Sequence, residues 1–200
     1  QMIETGEFQA NPVLLRAMNQ AARGGKALHL MGLVSPGGVH SHQDHIYTLV
    51  DMAREAGVAR VYIHAFLDGR DVPPASALGF LDELEDRLSQ LRLGKIATVS
   101  GRYYAMDRDT RWDRVKAAWD AMVHSLGRTA RSAREAVERS YAEGATDEFV
   151  LPTVIVDEHG SPVGPVSDGD SAIFFNFRGD RARELTRAFN LDEFDGFDRG

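Results

Sequence analysis

The stretch Lys95-Ile-Ala-Thr-Val-Ser-Gly-Arg-Tyr-Tyr-Ala-Met-Asp-Arg-Asp-Thr110 opens with an apolar run of strand length and then delivers Arg102 and Arg108. Two guanidiniums just past a buried strand need a reason to be there. The planar fork of arginine donors matches carboxylate or phosphate in bidentate fashion. The same arrangement occurs twice more. Arg60-Val-Tyr-Ile63 leads into His64-Ala-Phe-Leu-Asp-Gly-Arg-Asp71, and Ser171-Ala-Ile-Phe174 leads into Phe175-Asn-Phe-Arg-Gly-Asp-Arg181. Three strand ends therefore carry Arg70, Arg102, Arg108, Arg178 and Arg181. That is the chemistry of a small anionic ligand, most simply a phosphorylated one.

Outward from these segments the chain alternates. Helical spacing covers Val13 to Arg23, closed by Gly24-Gly25, and the apolar run Ala27 to Val34 reads as a strand. Ser41 with Asp44 three residues on resembles a capping box for a helix that stops at Gly57. Arg60 to Leu67 is a second strand, and Pro73-Pro74 opens a helix with an apolar face of Leu78, Leu81, Leu84, Leu88 and Leu91. After the third strand, Asp109 or Thr110 is expected to cap a helix with Trp112, Val115, Trp119 and Met122 inward. Ser132 to Glu143 is a short polar helix. Phe149 to Asp157 and Pro162 to Val166 flank a turn and read as a β-hairpin near 149–166, its prolines marking edge positions. A last strand, Ser171 to Phe177, precedes a helix from Asp180 to Phe189. Strands apolar on both faces between amphipathic helices predict an α/β three-layer sandwich with a mostly parallel sheet and helices on both faces. Residues 1–190 form one such domain on this reading, and 191–200 an acidic tail or linker. Ligands of such sheets sit at the carboxyl ends of the strands, where all three arginine segments lie. The loop Ser35-Pro-Gly-Gly-Val-His-Ser-His42 lies there too, but lacks Walker or Rossmann glycine spacing.

Composition narrows the function classes. A net charge of −7 and a pI near 5.5 argue against a nucleic-acid backbone as partner. Arginine outnumbers lysine 20 to 3, an imbalance that genome composition explains in total but not in position. Cysteine is absent, which removes disulfides, thiolate catalysis and cysteine-ligated zinc. No apolar run reaches the roughly 18 residues of a membrane span, so no membrane partner and a cytoplasmic setting are expected.

His40, His42, Asp44, His45 and His64 raise a metal reading, because H-x-H after a first strand can ligate a cation. The arginines at the neighbouring strand ends would repel one, so no metal is expected in this chain. Capping and packing suit His42 and His45, while His40 is a candidate ligand-facing group. Trp112 and Trp119 share a helix face and read as core. Local pairing would put Asp68 and Asp71 on Arg70, and Asp107 or Asp109 on Arg108. Two function classes accompany the anion-site reading: a metal-dependent hydrolase built on His40, His42 and His64, and a non-catalytic module for a phosphorylated metabolite.

Four long segments carry a family resemblance: Leu30 to His42, His64-Ala-Phe-Leu-Asp-Gly-Arg-Asp-Val-Pro-Pro74, Ser100-Gly-Arg-Tyr-Tyr-Ala-Met-Asp-Arg-Asp109 and Phe175 to Arg181. In this order they resemble the 2,3-bisphosphoglycerate-independent phosphoglycerate mutases, over nearly the whole chain. The resemblance implies a two-domain isomerase of glycolysis and gluconeogenesis that interconverts 3-phosphoglycerate and 2-phosphoglycerate. A phosphatase-like domain, related to alkaline phosphatase, would hold two manganese ions and a serine nucleophile. An inserted domain, the one this chain resembles, would bind the phosphoglycerate. Carried over by motif, the substrate contacts are His40, Arg70, Asp71, Arg102, Arg108, Arg178 and Arg181, with Asp71 also a general acid/base or hydroxyl-orienting group. Pro36 departs from the acidic or polar residue common there. On this resemblance the chain itself holds no cofactor and no nucleophile, works as a monomer with the phosphatase-like domain of the same polypeptide, and binds substrate without turning it over.

Overall fold

A computed structural model describes residues 3–200. Its elements are α1 (Pro12–Gly24), β1 (Leu28–Leu33), α2 (Asp44–Glu55), β2 (Val61–Leu67), α3 (Ala77–Leu91), β3 (Lys95–Gly101), α4 (Arg102–Ala105), α5 (Trp112–Val123), β4 (Arg128–Ala130), α6 (Ala133–Ala142), β5 (Thr153–Ile155), β6 (Ser171–Phe174) and α7 (Arg183–Asn190). The six strands lie in the order β4-β5-β3-β2-β1-β6, and every pairing is parallel except β3 with β5. The chain runs β1, β2, β3 in one direction and later returns to place β6 on the other side of β1. That reversal leaves a crevice beyond the carboxyl ends of β1 and β6, where open α/β sheets take their ligands.

The sheet is covered on both faces. Leu28 and Leu30 of β1 and Ile63, Ala65 and Leu67 of β2 pack with Met18 of α1, Leu49 of α2, Leu81 and Leu84 of α3, and Val137 of α6. Met31 and Leu33 of β1 and Phe66 of β2 face the other way, onto Val115, Trp119 and Met122 of α5 and Leu185 of α7. Alternate side chains of one strand thus enter two cores, which is why these strands read as continuous apolar runs. Burying Phe66 alone contributes about 2 kcal/mol.

Several local expectations are corrected. Ser41 does not cap α2: its hydroxyl donates to the Leu33 carbonyl, the helix begins at Asp44, and its cap residue Gln43 makes no side-chain bond. Neither Asp109 nor Thr110 caps α5. The cap residue is Arg111, with no side-chain capping bond, and the Asp107 carboxylate instead folds the turn ahead of the helix, accepting from the backbone N–H of Asp109 at 3.0 Å and of Arg111 at 2.9 Å. Pro73-Pro74 do not open α3, which starts at Ala77 because Asp147 reaches in to accept from the N–H groups of Ser76 and Ala77. The helix expected from Asp180 starts at Arg183. Near 149–166 the chain does reverse, with Asp157 N–H bonded to Ser161 O and an isolated antiparallel bridge between Val156 and Pro162. Only the first arm joins the sheet, and β5 is interior, between β4 and β3, so Pro152 does not mark an edge. The antiparallel entry of β5 is what makes room for β4, a strand not expected from sequence.

Segment 191–200 lies against α5, with Phe194 and Phe197 stacked edge-on at 4.9 Å and Phe194 at 5.3 Å from Trp112. Behind the cleft a buried polar chain crosses three strands. Asp170 accepts from His29 Nε2 at 3.0 Å, His29 Nδ1 meets His64 Nε2 at 2.9 Å, and His64 Nδ1 meets the Thr98 hydroxyl at 2.8 Å. Because a carboxylate only accepts, the direction is set: Thr98 donates to His64, His64 to His29, and His29 to Asp170.

Candidate functional site

The arginine-bearing segments leave the strands at one end of the sheet. β2 runs into Asp68, whose carboxylate organises the corner. It accepts from the backbone N–H of Arg70 at 3.1 Å and Asp71 at 2.9 Å, folding 68–71 into a tight turn. Its other contacts are the Ser35 hydroxyl at 2.7 Å and Arg102 at 2.8 Å. Burial alone would raise this carboxyl; the N–H of Asp71, the Ser35 hydroxyl, the N–H of Arg70 and Arg102 together hold it below the usual carboxylate range.

β3 ends in Gly101, and the corner there is possible only for glycine. A Cβ at this position would stand 2.1 Å from the Glu148 carbonyl oxygen, a backbone atom that cannot yield. The chain then turns into α4, which puts Arg102 in the wall of the cleft, only 3% exposed. One guanidinium nitrogen of Arg102 bridges Asp68 at 2.8 Å and Asp71 at 2.9 Å. Its Nε is buried without a hydrogen-bond partner.

From the β6 side, Asp180 accepts from Arg178 at 3.0 Å and Arg108 at 3.1 Å through one oxygen. Its other oxygen lies 3.7 Å from Nδ1 of the buried His40. The backbone joins the same parts, with Phe177 N–H bonded to His40 O at 2.9 Å. Burial lowers the His40 pKa, and the nearby Arg102 and Arg178 lower it further, so the ring is neutral at neutral pH. Arg181 donates to the Met106 carbonyl at 3.1 Å and has no carboxylate partner among the described residues. Burial lowers its pKa first, and then Arg102, Arg108 and Arg70 do, which places those four guanidiniums within electrostatic reach of one another. Arg70 lies on the rim, 3.4 Å from Glu148.

His40, Asp71, Arg102, Arg108, Arg178 and Arg181 are therefore brought together, with Arg70 at the edge. The local pairings expected for them are not the ones formed. Asp68 and Asp71 pair with Arg102 and not Arg70, while Asp107 and Asp109 pair with Arg111 and not Arg108. Sequence reasoning missed Asp68 and Ser35 as organisers and Asp180 as the bridge. Asp68 and Asp180 stand beside the flagged arginines, yet Arg102 comes to Asp68 from the end of β3, and Arg108 joins the local Arg178 on Asp180. The remaining histidines serve structure. His42 accepts from Asp44 N–H, His45 packs tilted against Phe8 and edge-on to Phe177, and both nitrogens of His64 are used in the core. Among the described residues no group of three or more histidines or acids is placed to hold a metal ion. A concavity of about 760 Å³ opens at the opposite end of the strands, by Val61, Lys95 and Ile155, and contains none of the expected site residues.

Fold and site together define an α/β domain with an arginine-rich cleft at the carboxyl ends of a mostly parallel sheet. The chain belongs to the family described as the BPG-independent PGAM N-terminus, whose model matches residues 1–200. It is 58% identical over 197 residues to the 2,3-bisphosphoglycerate-independent phosphoglycerate mutase of Myxococcus xanthus, a match covering 98% of this chain and 38% of that protein. The enzyme of that name from Thermomicrobium roseum is 57% identical over 195 residues, covering 98% of this chain and 37% of the relative. A solved structure of Leishmania mexicana phosphoglycerate mutase, obtained at low cobalt concentration, superposes with a TM-score of 0.94 at 39% identity, covering 99% of this chain and 38% of that one. The chain thus spans less than two-fifths of the length of these relatives.

Proposed function

We propose that this chain is the phosphoglycerate-binding part of a 2,3-bisphosphoglycerate-independent phosphoglycerate mutase. The observation that carries the reading is the convergence of Arg102, Arg108, Arg178 and Arg181 with His40 and Asp71 in one cleft, in a chain that belongs to this family. A phosphoglycerate is a compact polyanion with a carboxylate, a phosphate and a hydroxyl. Arg108, Arg178 and Arg181 would grip its anionic groups by charge-assisted hydrogen bonds. Arg102 holds one oxygen of Asp71 at 2.9 Å, and the other oxygen, with no hydrogen bond among the described residues, would take the hydroxyl proton or orient it. Neutral His40 would donate or accept a hydrogen bond without adding charge.

Manganese and a serine nucleophile, which the family resemblance implies for the whole enzyme, do not fit the residues here. The cleft's carboxylates are engaged by guanidiniums and the histidines do not cluster, so no step is derived through a metal. The reading therefore has the chain bind substrate and leave phosphoryl transfer to a partner phosphatase-like domain of the same polypeptide. A cytoplasmic, monomeric enzyme of glycolysis completes the proposal. A hydrolase built on His40, His42 and His64 is not supported, since His64 is spent on His29 and Thr98.

The test is calorimetric titration of 3-phosphoglycerate into the chain and its Arg181→Ala variant. Binding should weaken by about tenfold or more in the variant, the loss of a hydrogen bond to a charged group. Equal affinity in both would overturn the assignment. Turnover by pure chain with manganese present would overturn the division of labour.

A further inference from the structure

The carboxylates of the cleft are not equivalent. Asp68 is 2% exposed and fixed by four donors: a hydroxyl, two backbone N–H groups and Arg102. Asp71 is held on the same buried guanidinium. Neither can leave without stranding Arg102. Asp180 is held differently. Its side chain is 30% exposed, and its two arginine partners are 47% and 48% exposed. A single oxygen receives both guanidiniums. The second oxygen is buried and accepts no hydrogen bond, and the nearest cationic candidate, His40 Nδ1, is likewise unpartnered. The residue before it is Gly179, around which a Cβ would meet nothing within 4 Å, so no neighbour packs over the chain there. Despite the cost of burial, Arg178, His40 when protonated, and Arg108 hold the carboxyl below its usual range, so it is an anion at neutral pH.

Two guanidiniums and an imidazole around one loosely seated oxygen anion form a place for a larger anion. Resting on the phosphoglycerate reading above, we propose that Asp180 is the exchangeable counter-ion of this cleft: it occupies Arg108 and Arg178 until a phosphate dianion displaces it, and so sets the charge a ligand must carry to bind. The exchange balances in charge and in hydrogen bonds. Arg108 and Arg178 trade one acceptor for another, the carboxylate moves into water, and the phosphate's further oxygens reach Arg181 and His40. Breaking exposed ion pairs costs little, whereas the dianion gains more than the monoanion it replaces. A ligand with only one negative charge gains nothing over Asp180 and is turned away.

Removing the internal competitor should therefore strengthen binding, opposite to what the loss of a ligand-contacting or structural group does. The experiment is calorimetry in buffer free of phosphate and sulfate, using 3-phosphoglycerate, inorganic phosphate and glycerate as probes. Asp180→Asn should bind 3-phosphoglycerate and phosphate about three- to tenfold more tightly than the unmodified chain. Glycerate, a monoanion, should gain at least as large a factor, so that discrimination between phosphate and carboxylate shrinks. Asp180→Ser, which removes the charge with a smaller side chain, should behave alike, and both variants should unfold thermally with the unmodified chain. Unchanged or weaker binding in both variants, with Arg181→Ala still damaging the unmodified site, overturns the counter-ion role and leaves the functional reading standing. Failure of the unmodified chain to bind 3-phosphoglycerate overturns both.

Discussion

Two polar networks sit a few residues apart in this sheet, and they are built to opposite rules. In the Thr98–His64–His29–Asp170 chain three hydrogen bonds run donor to acceptor, and no ring nitrogen is left over. In the cleft, His40 Nδ1, Arg102 Nε and one oxygen of Asp180 are buried without hydrogen bonds, as is the neighbouring Ser100 hydroxyl. Buried polar groups left unpaired cost free energy, and natural proteins tolerate few of them. The closed network ties strands together; the open one keeps donors and acceptors unspent.

The largest expected effect probes the part of the cleft that is closed. Asp68→Ala would leave buried Arg102 with only Asp71 and strand the Ser35 hydroxyl and two backbone donors. It should destabilise the domain by about 3–5 kcal/mol, as removal of one partner from a buried pair does. Urea unfolding measures it, and a loss below about 1 kcal/mol would show that Asp68 belongs with the loosely held Asp180 instead.

The histidine chain should announce itself through pH. Burial lowers the pKa of His29, against the opposing pull of Asp170, and lowers that of His64 well below 6.5. Folded values below the unfolded one mean that the unfolded chain binds more protons in acid. The stabilisation is thus complete above pH 6.5 and is lost as pH falls from there toward the folded values, by up to about 1.4 kcal/mol per pH unit for each ring that stays neutral. His40 and His45 add to the same trend. Imidazole NMR resonances of His29 and His64 that titrate near 6.5 in the folded chain would break the contrast between the two networks.

The smallest effect is a control far from both networks. Ser132 caps α6 by accepting from Glu135 N–H at 3.1 Å. Ser132→Ala should cost about 1 kcal/mol of stability and leave 3-phosphoglycerate affinity unchanged. A change in affinity would mean that stability and the cleft are not separable by calorimetry, and the comparison would need a different readout.

What could be read from sequence follows the range of the forces involved. β1, β2 and β3 announce themselves because their side chains enter two cores, giving unbroken apolar runs. The arginines stand out because charge just past such a run is conspicuous. Hidden from a linear reading was everything decided by a distant partner. β4 is three residues long and exists only because β5 lies beside it. The start of α3 is held by Asp147, seventy residues away in sequence, and not by a residue where a cap is sought. The carboxylate chosen by each arginine is a matter of which strand ends adjoin, so nearest-neighbour pairing in sequence assigned Arg70 and Arg108 wrongly. Asp180 shows both kinds: Arg178 is a neighbour in sequence, but Arg108 and His40 reach it from other segments.

The aromatic cluster beneath the last ten residues has an optical consequence. The chain has two tryptophans, Trp112 and Trp119, both on α5, and both pack against Phe197. Neither lies among the arginines and carboxylates of the cleft. Intrinsic fluorescence is therefore a reporter of how the end of the chain seats on α5: emission will redden when that segment lifts away, and a ligand that shifts the spectrum will have been felt on the far side of α4.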